Sequence, residues 1–469
     1  MTTLALELAL AILILVVFLA GLFSRADDRR FVGVVAIVGM AGLFALSFLV
    51  VPGESVLGGS FVLDGLAIFA KQLFILATLI GLLGSHALRT TTFKRRAGEY
   101  YLLILTSLLG MMALASAREL ILLFVAFELM SIPLYVLAGF TKREGESVEA
   151  SLKFFLVGSV SSAIMAYGLS FLYGLAGSTH LAEISKLLRE PSPLFIFAML
   201  AVFVGFGFKI AAFPFHMWVP DTYEAGPTPF VAWLSVAPKA AGFVALFRVY
   251  LEGVGEGAAF WIPMASGLAA ITIIAGNLMA LPQTNVKRLL AYSGIAHIGY
   301  MLVGFAAVST YGIAWVLFYL VAYVFANMGA FLVVEAVAQH EGSVSLSAFR
   351  GLAQRSPLLA LAMLLFLLSL GGIPFVIGFW AKLYVFWAAA QVGLYWLVLI
   401  GAVLTVVALF YYLAIARQMY ISQPEHITRI EVPFSLALAI MISAVAVVAL
   451  GLWPRPLVEA TLRVAATFF

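Results

Sequence analysis

GFGFKIAAFPFHMWVPDTYEAGPTP, running from Gly205 to Pro229, decides how the rest of the chain is read. It puts Lys209 near the inner part of a long apolar run. Pro214 follows, and then a polar loop built on Pro220, Asp221, Glu224, Gly226, Pro227 and Pro229. Proline has no backbone N–H and interrupts the hydrogen-bond ladder of a helix. A charge at the centre of a bilayer costs roughly 3 kcal/mol or more, so a lysine there faces a protein interior or water, and such residues mark ion paths. The stretch predicts a membrane helix broken beside a buried cation, and Lys209 reads as one station of a proton path.

The composition agrees with a membrane setting. Of 469 residues, 64% are hydrophobic and 10% charged, and the mean hydropathy is +1.13. No soluble domain of that length hides so much apolar surface, so the class is an all-α, polytopic membrane protein. A β-barrel would need short alternating strands, whereas these apolar runs are continuous. Cysteine is absent, which excludes disulfides and thiolate-held iron–sulfur or metal sites within the chain. The six histidines are scattered and give little support to a haem pair. A net charge of +4 without a basic stripe gives no sign of nucleic-acid binding. The first run, Leu4 to Phe23, has no positive region before it and reads as a retained first helix, not a cleaved signal peptide.

Hydropathy predicts about 14 spans, at roughly 4–23, 32–52, 66–87, 99–115, 118–140, 150–176, 194–216, 227–250, 260–281, 287–307, 310–338, 357–388, 394–420 and 432–454. The odd-numbered loops hold Arg25, Arg29, Arg30, Arg89, Lys94, Arg95, Arg96, Lys142, Arg143, Lys287, Arg288, Arg350, Arg355, Arg417 and Arg429. The opposite side holds Arg118, Lys186, Arg189, Arg248, Arg455 and Arg463. Positive-inside bias then places both termini outside and the odd loops in the cytoplasm. Lys71, Lys153, Lys209, Lys239 and Lys382 are left within spans.

The chain also echoes itself. Ser192-Pro193-Leu194 returns as Ser356-Pro357-Leu358, and Ala198-Met199-Leu200 as Ala362-Met363-Leu364. Phe154, Leu156 and Val157 match Phe318, Leu320 and Val321 at the same offset. That offset covers an odd number of spans, so a second copy sits upside down relative to the first, as in transporters built from inverted repeats.

Glu128, Lys209, Lys239 and Lys382 each have a helix breaker nearby. Glu128 lies about 13 Å past Glu119 at about 1.5 Å per residue, with Pro133 beyond it. Pro238 directly precedes Lys239, and Gly371, Gly372 and Pro374 precede Lys382. His297 falls well inside the tenth span. A carbonyl freed by proline needs a polar group or water in lipid, so break and charge can share one hydrated pocket. A carboxylate close to a buried lysine favours its ammonium form, and moving it away favours release. A Glu128–Lys209 pair could therefore switch Lys209 between holding and releasing a proton, with Lys239 and His297 relaying it and Lys382 exchanging it with one side. The plain alternatives stand beside this: each lysine as a structural ion pair, and His297 as a packed polar residue. Lys71 and Lys153 read as snorkelling or structurally paired, and Asp221 and Glu224 as ordering the loop or capping the next helix. The many phenylalanines and methionines read as lipid-facing or core.

FELMSIPLYVLAGF around Glu128, EASLKFFLVGSVSSAIMAYG, the opening stretch, SVAPKAAGF, NVKRLLAYSGIAHIGYMLVG and GGIPFVIGFWAKLYVF together resemble the antiporter-like membrane subunits of respiratory complex I, NADH–quinone oxidoreductase, over roughly residues 60 to 425. Lysine at position 382, the wording around Glu128 and the lack of a long lateral helix are most similar to the N-type branch of that family. The resemblance implies three N-terminal helices over 1–98, a first five-helix repeat over 99–256, an inverted second repeat over 257–425 with helices 7 and 12 broken, and a last helix and tail over 426–469. It implies that Glu128 and Lys209 form a modulating pair, Lys239 the connecting lysine and Lys382 the outlet. It further implies no redox cofactor in this chain, a bacterial inner membrane, and partner subunits of the M, K and J types with the lateral helix of subunit L. Protons, internal water and the lipid bilayer complete the set. A multisubunit sodium/proton antiporter, a membrane-bound hydrogenase subunit and a passive membrane spacer are the competing functions.

Overall fold

The computed structural model describes residues 3–24, 30–88, 90–141, 145–186, 192–253, 258–424, 426 and 428–468. Arg25, Arg29, Arg89, Lys142, Arg143 and Arg189 of the sidedness reading lie outside the described residues, as do the expected boundaries at 256/257 and 425. The described residues form helices and isolated bridges, without a strand. In chain order they are α1 (Ala5–Phe23), α2 (Arg30–Ser47), α3 (Gly65–Ser85), α4 (Thr91–Ser116), α5 (Leu120–Ala138), α6 (Gly145–Ala176), α7 (Leu181–Ile184), α8 (Pro193–Ile210), α9 (Trp218–Ala225), α10 (Thr228–Leu234), α11 (Ala237–Phe247), α12 (Ala258–Ala280), α13 (Val286–Ala306), α14 (Thr310–Glu341), α15 (Leu352–Arg355), α16 (Pro357–Gly371), α17 (Ile377–Gln391), α18 (Tyr395–Tyr420), α19 (Phe434–Leu452) and α20 (Arg455–Ala465).

Among the described residues, thirteen segments are long and apolar enough to cross a membrane, which makes the chain a multi-pass membrane protein. The remaining expected span is present as two 15-residue helices, α16 and α17. Each is about 22 Å long, short of a hydrocarbon core of about 30 Å. Polar residues mark the helix starts. Asp64 accepts from the Ala67 N–H, Glu119 from Leu122, Asn285 from Lys287 and Arg288, and Ser309 from Gly312. These caps satisfy backbone donors that lipid could not.

Helix α8 does not run to Pro214. It ends at Ile210, and Ala211 takes φ +65°. The expected polar loop is then largely helix, because Trp218–Ala225 forms α9. The other break has the same character. Helix α16 ends in a Schellman cap at Gly372 (φ +80°), whose N–H donates to the Ser369 carbonyl while Ile373 N–H donates to that of Leu368, both at 3.0 Å. Phe375 follows at φ +74°. A non-glycine residue in the left-handed region costs about 1–3 kcal/mol and tends to sit at functional sites. A β-carbon on Gly378 would overlap the Ser369 carbonyl, so the start of α17 passes the end of α16 only as glycine. Pro193 and Pro357, the prolines of the sequence echo, open the two interrupted helices. Pro133 by contrast lies inside α5, which continues through it.

The contacts gather into two units. The first takes Met1–Ile210 and Ala237–Trp261, the second Ala211–Val236 and Ile262–Thr467. Within the first, α4 packs most extensively on α5, and α6 on α8. Arg248, placed by the sidedness reading in a loop, is instead fully buried at the end of the α11 span. Its guanidinium donates to both Asp64 oxygens at 2.6 Å, to the Ala115 carbonyl at 3.0 and 3.1 Å, and to Glu252. Arg118 joins Glu252 at 2.8 Å and Asp64 at 3.3 Å. Lys71, also fully buried, pairs with Glu7 at 2.7 Å, and Lys153 pairs with Glu149 at 2.8 Å on an open face. Both fit the expected structural role. In the second unit α14 is buried from Gly312 to Val337, with α13, α16, α17, α19 and α20 packed on it. Many apolar side chains of α1, α6, α18 and α19 are exposed, as suits contact with acyl chains.

Candidate proton-transfer site

In the first unit the side chain of Lys209 is held by a serine. Lys209 is the penultimate residue of α8 and is buried. Its Nζ donates to Ser131 Oγ at 2.6 Å, and Ser131 donates onward to the Phe127 carbonyl at 2.5 Å. The ammonium also lies 4.8 Å from the Phe127 ring centre, 5.4 Å from Phe208 and 5.9 Å from Tyr135, where aromatic faces favour a cation. Glu128 sits one turn before Ser131 on α5. Among the described residues no ion pair joins it to Lys209, and its Oε1 is buried without a hydrogen bond. The direct partner of Lys209 is thus the Ser131 hydroxyl, with Glu128 one turn earlier on the same helix.

Hydroxyls also satisfy other α5 carbonyls. Ser107 donates to Met130 O and Ser151 to Tyr135 O, both at 2.8 Å. Lys239 is buried in the first turn of α11, directly after Pro238, where the missing N–H of proline is harmless. Helix α11 then passes the stem of Lys209 at Gly242, where a β-carbon would lie 3.4 Å from Lys209 Cγ.

In the second unit Lys382 on α17 turns back to the helix break. Its Nζ donates to the Gly371 carbonyl at 3.3 Å, at the C-terminal end of α16 where a cation complements the helix dipole, and lies 4.8 Å from the Tyr300 ring. His297, on α13 with Tyr300, is buried and hydrogen-bonded at both nitrogens: Nδ1 to Tyr319 at 2.8 Å and Nε2 to Tyr412 at 3.1 Å. Further along α14, Asn327 donates to Ser235 at 2.7 Å. Tyr411 donates to Asn277 at 3.0 Å. Asp221 and Glu224 lie within α9, not in a loop, and hold Arg288 at 2.9 and 2.8 Å, which ties α9 to the start of α13.

The sequence reading missed Ser131, Tyr319, Tyr412 and the Arg248 cluster. Ser131 stood inside the quoted Glu128 stretch, one helical turn from the carboxylate, and its spacing could have singled it out. Nothing local distinguished the tyrosines. Chemically, the first unit holds buried lysines and a carboxylate, and the second a buried lysine and an imidazole, each group able to hold or pass a proton.

The description "NADH:quinone oxidoreductase/Mrp antiporter, TM" fits residues 117–408 as a family model. The chain is 40% identical over 469 residues to NADH-quinone oxidoreductase subunit N of Moorella thermoacetica, covering 99% of this chain and 98% of the other. The chain belongs to this family. It is also 38% identical to F(420)H(2) dehydrogenase subunit N of Methanosarcina mazei, over 98% of each chain. Among solved structures, a chain of respiratory complex I from Thermus thermophilus with bound aureothin matches with TM-score 0.83 and 35% identity, over 97% of this chain and 99% of that one. A chain of the Mrp complex from Dietzia, at TM-score 0.88 and 23% identity over 100% and 98%, shares the fold. Family membership accounts for the all-helical membrane architecture, and the family-model match contains Glu128, Lys209, Lys239, His297 and Lys382.

Proposed function

We propose that this chain is a proton-translocating membrane subunit of an NADH:quinone oxidoreductase, moving protons across the bilayer as other subunits reduce quinone. One observation carries the reading: each of the three buried lysines expected on the path stands at a helix interruption. Lys209 precedes the break at Ala211, Lys239 follows the interruption between α10 and α11, and Lys382 reaches the carbonyl that closes α16. Irregular backbone at membrane depth is tolerated where it lines a polar or water-filled space.

In this account Glu128 biases the charge on Lys209 through Ser131, and Lys239 links that event to His297 and Lys382. Lys382 exchanges the proton with one side. The chain carries a first five-helix repeat over 99–256 and an inverted second one over 257–425, and both termini face the outside of a bacterial inner membrane. The chain works within a multisubunit membrane complex, flanked by M-, K- and J-type subunits and the lateral helix of an L-type subunit. Purification from the native membrane tests the assignment. NADH:quinone activity should copurify with the chain. Copurification with antiporter companions, without that activity, would assign it to an antiporter instead.

A further inference from the structure

Resting on the proposed role of His297, we infer that Tyr319, Tyr412 and Ser293 complete a hydrogen-bonded wire through which the His297 imidazole passes a proton between its two nitrogens. Three helices supply it: α13 carries Ser293 and His297 one turn apart, α14 carries Tyr319, and α18 carries Tyr412. Tyr412 and Ser293 share a hydrogen bond of 2.5 Å, beyond the bonds of 2.8 and 3.1 Å to the ring. All four residues are buried.

The nature of the partners separates a wire from a packed histidine. A neutral imidazole has one donor and one acceptor, and a backbone carbonyl or a carboxylate at one nitrogen fixes which is which. Here both partners are hydroxyls, and a hydroxyl donates or accepts by turning about its C–O bond. The site therefore accommodates either tautomer with every hydrogen bond kept. Ser293 extends the row at the Tyr412 end. At the Tyr319 end lies a cavity lined by His297, Tyr319, Tyr323, Ser369 and Gly378, beside the break that Lys382 caps.

The protons balance as follows. With Nε2 protonated, hydronium in that cavity gives a proton to the Tyr319 oxygen as the Tyr319 hydroxyl proton moves to Nδ1. The Nε2 proton leaves for the Tyr412 oxygen, the Tyr412 hydroxyl proton moves to Ser293, and the Ser293 proton leaves to water. One proton enters and one leaves, every oxygen regains its hydrogen, and the ring ends as the other tautomer. The first tautomer is restored when the ring turns about its Cβ–Cγ bond so that Nε2 leaves Tyr412 for the cavity: cavity water takes the Nδ1 proton and returns one to Nε2, with no proton drawn back from Ser293.

Tyr412→Phe removes one oxygen and keeps the ring. The complex carrying it, assembled in inverted membrane vesicles and driven by NADH, is expected to lose proton uptake by about 100-fold, the low end of what a positioned proton donor or acceptor contributes. The residual uptake is expected to slow further in D2O, because transfer through the wire has become limiting; a purely structural role for the hydroxyl would leave the isotope ratio unmoved. Wild-type uptake and isotope ratio in Tyr412→Phe, with uptake abolished in His297→Ala, would overturn the wire and leave His297 in place. Wild-type uptake in His297→Ala would overturn the role of His297 itself. If Tyr412→Phe does not assemble, Tyr319→Phe replaces it with the same expected loss and the same overturning result.

Discussion

Replacing Arg248 with methionine should destabilise the first unit through the loss of a fully buried guanidinium. The guanidinium is fully buried and holds Asp64 in a bidentate pair, Glu252, and the free carbonyl of Ala115 at the end of α4. Removing one partner of a buried ion pair costs roughly 3–5 kcal/mol, because the remaining charge is left uncompensated. Asp64 and Glu252 keep side-chain exposures of 21% and 18%, and Arg118 still reaches both carboxylates, so the low end applies: about 3 kcal/mol. For a cooperative unit of this size, about 2–4 °C is lost per kcal/mol, giving a fall of about 6–12 °C in the unfolding midpoint. Thermal unfolding of the purified assembled complex, followed by loss of the folded chain, reads the shift. Arg248→Lys keeps the charge but not the fork and should fall between wild type and Arg248→Met.

The same cluster predicts an acid limb. Burial tends to raise the Asp64 carboxyl, but the Arg248 hydrogen bond and charge, the Ala67 N–H and Arg118 outweigh it and hold Asp64 below its ordinary value of 3.8. A lowered carboxylate contributes stability that is complete above the unfolded value and is lost as pH falls through the folded one. Wild type should therefore keep this contribution down to about pH 4 and lose it below. In Arg248→Met that limb should flatten. A midpoint within about 2 °C of wild type for Arg248→Met, at neutral pH, would refute this reasoning.

Two further changes test the packing. Gly378→Ala puts a methyl group against the Ser369 carbonyl and should cost about 1–3 kcal/mol in thermal stability. Gly174→Ala on α6, where no atom lies within 4 Å of the added carbon, should be neutral or stabilise by up to about 1 kcal/mol. Lys71→Met strands the Glu7 carboxylate and should cost about 3 kcal/mol, most of it recovered in the Lys71→Met, Glu7→Gln double variant, as a double-mutant cycle would register.

The spans were legible because length and continuous hydropathy act locally, residue by residue. For example, α5 was expected over 118–140 and runs from Leu120 to Ala138, with Glu119 as its cap. The amphipathic α20 was not, being 11 residues long and too polar for a hydropathy window. The first helix break was legible as an event but not in position: the prolines announce an interruption, while the backbone turns at Ala211, ahead of Pro214. The candidate site was legible in its charges and not in its connections. A lysine in an apolar run stands out in any window, but the hydroxyl that receives it lies 78 positions away in sequence, and the tyrosines around His297 lie 22 and 115 away. Such partners are chosen by tertiary packing, and a tyrosine in a helix interior carries no local mark of it. Arg248 was misplaced for the same reason, since its compensating carboxylate, Asp64, caps a helix early in the chain.

Proton uptake per quinone reduced, in membrane vesicles holding the assembled complex with Lys209→Ala, tests the account most directly. A buried ammonium poised on Ser131 and acting as a proton station predicts uptake reduced to about a tenth of wild type or less while assembly persists. Full uptake in that variant would mean that the protons take a route that does not include Lys209.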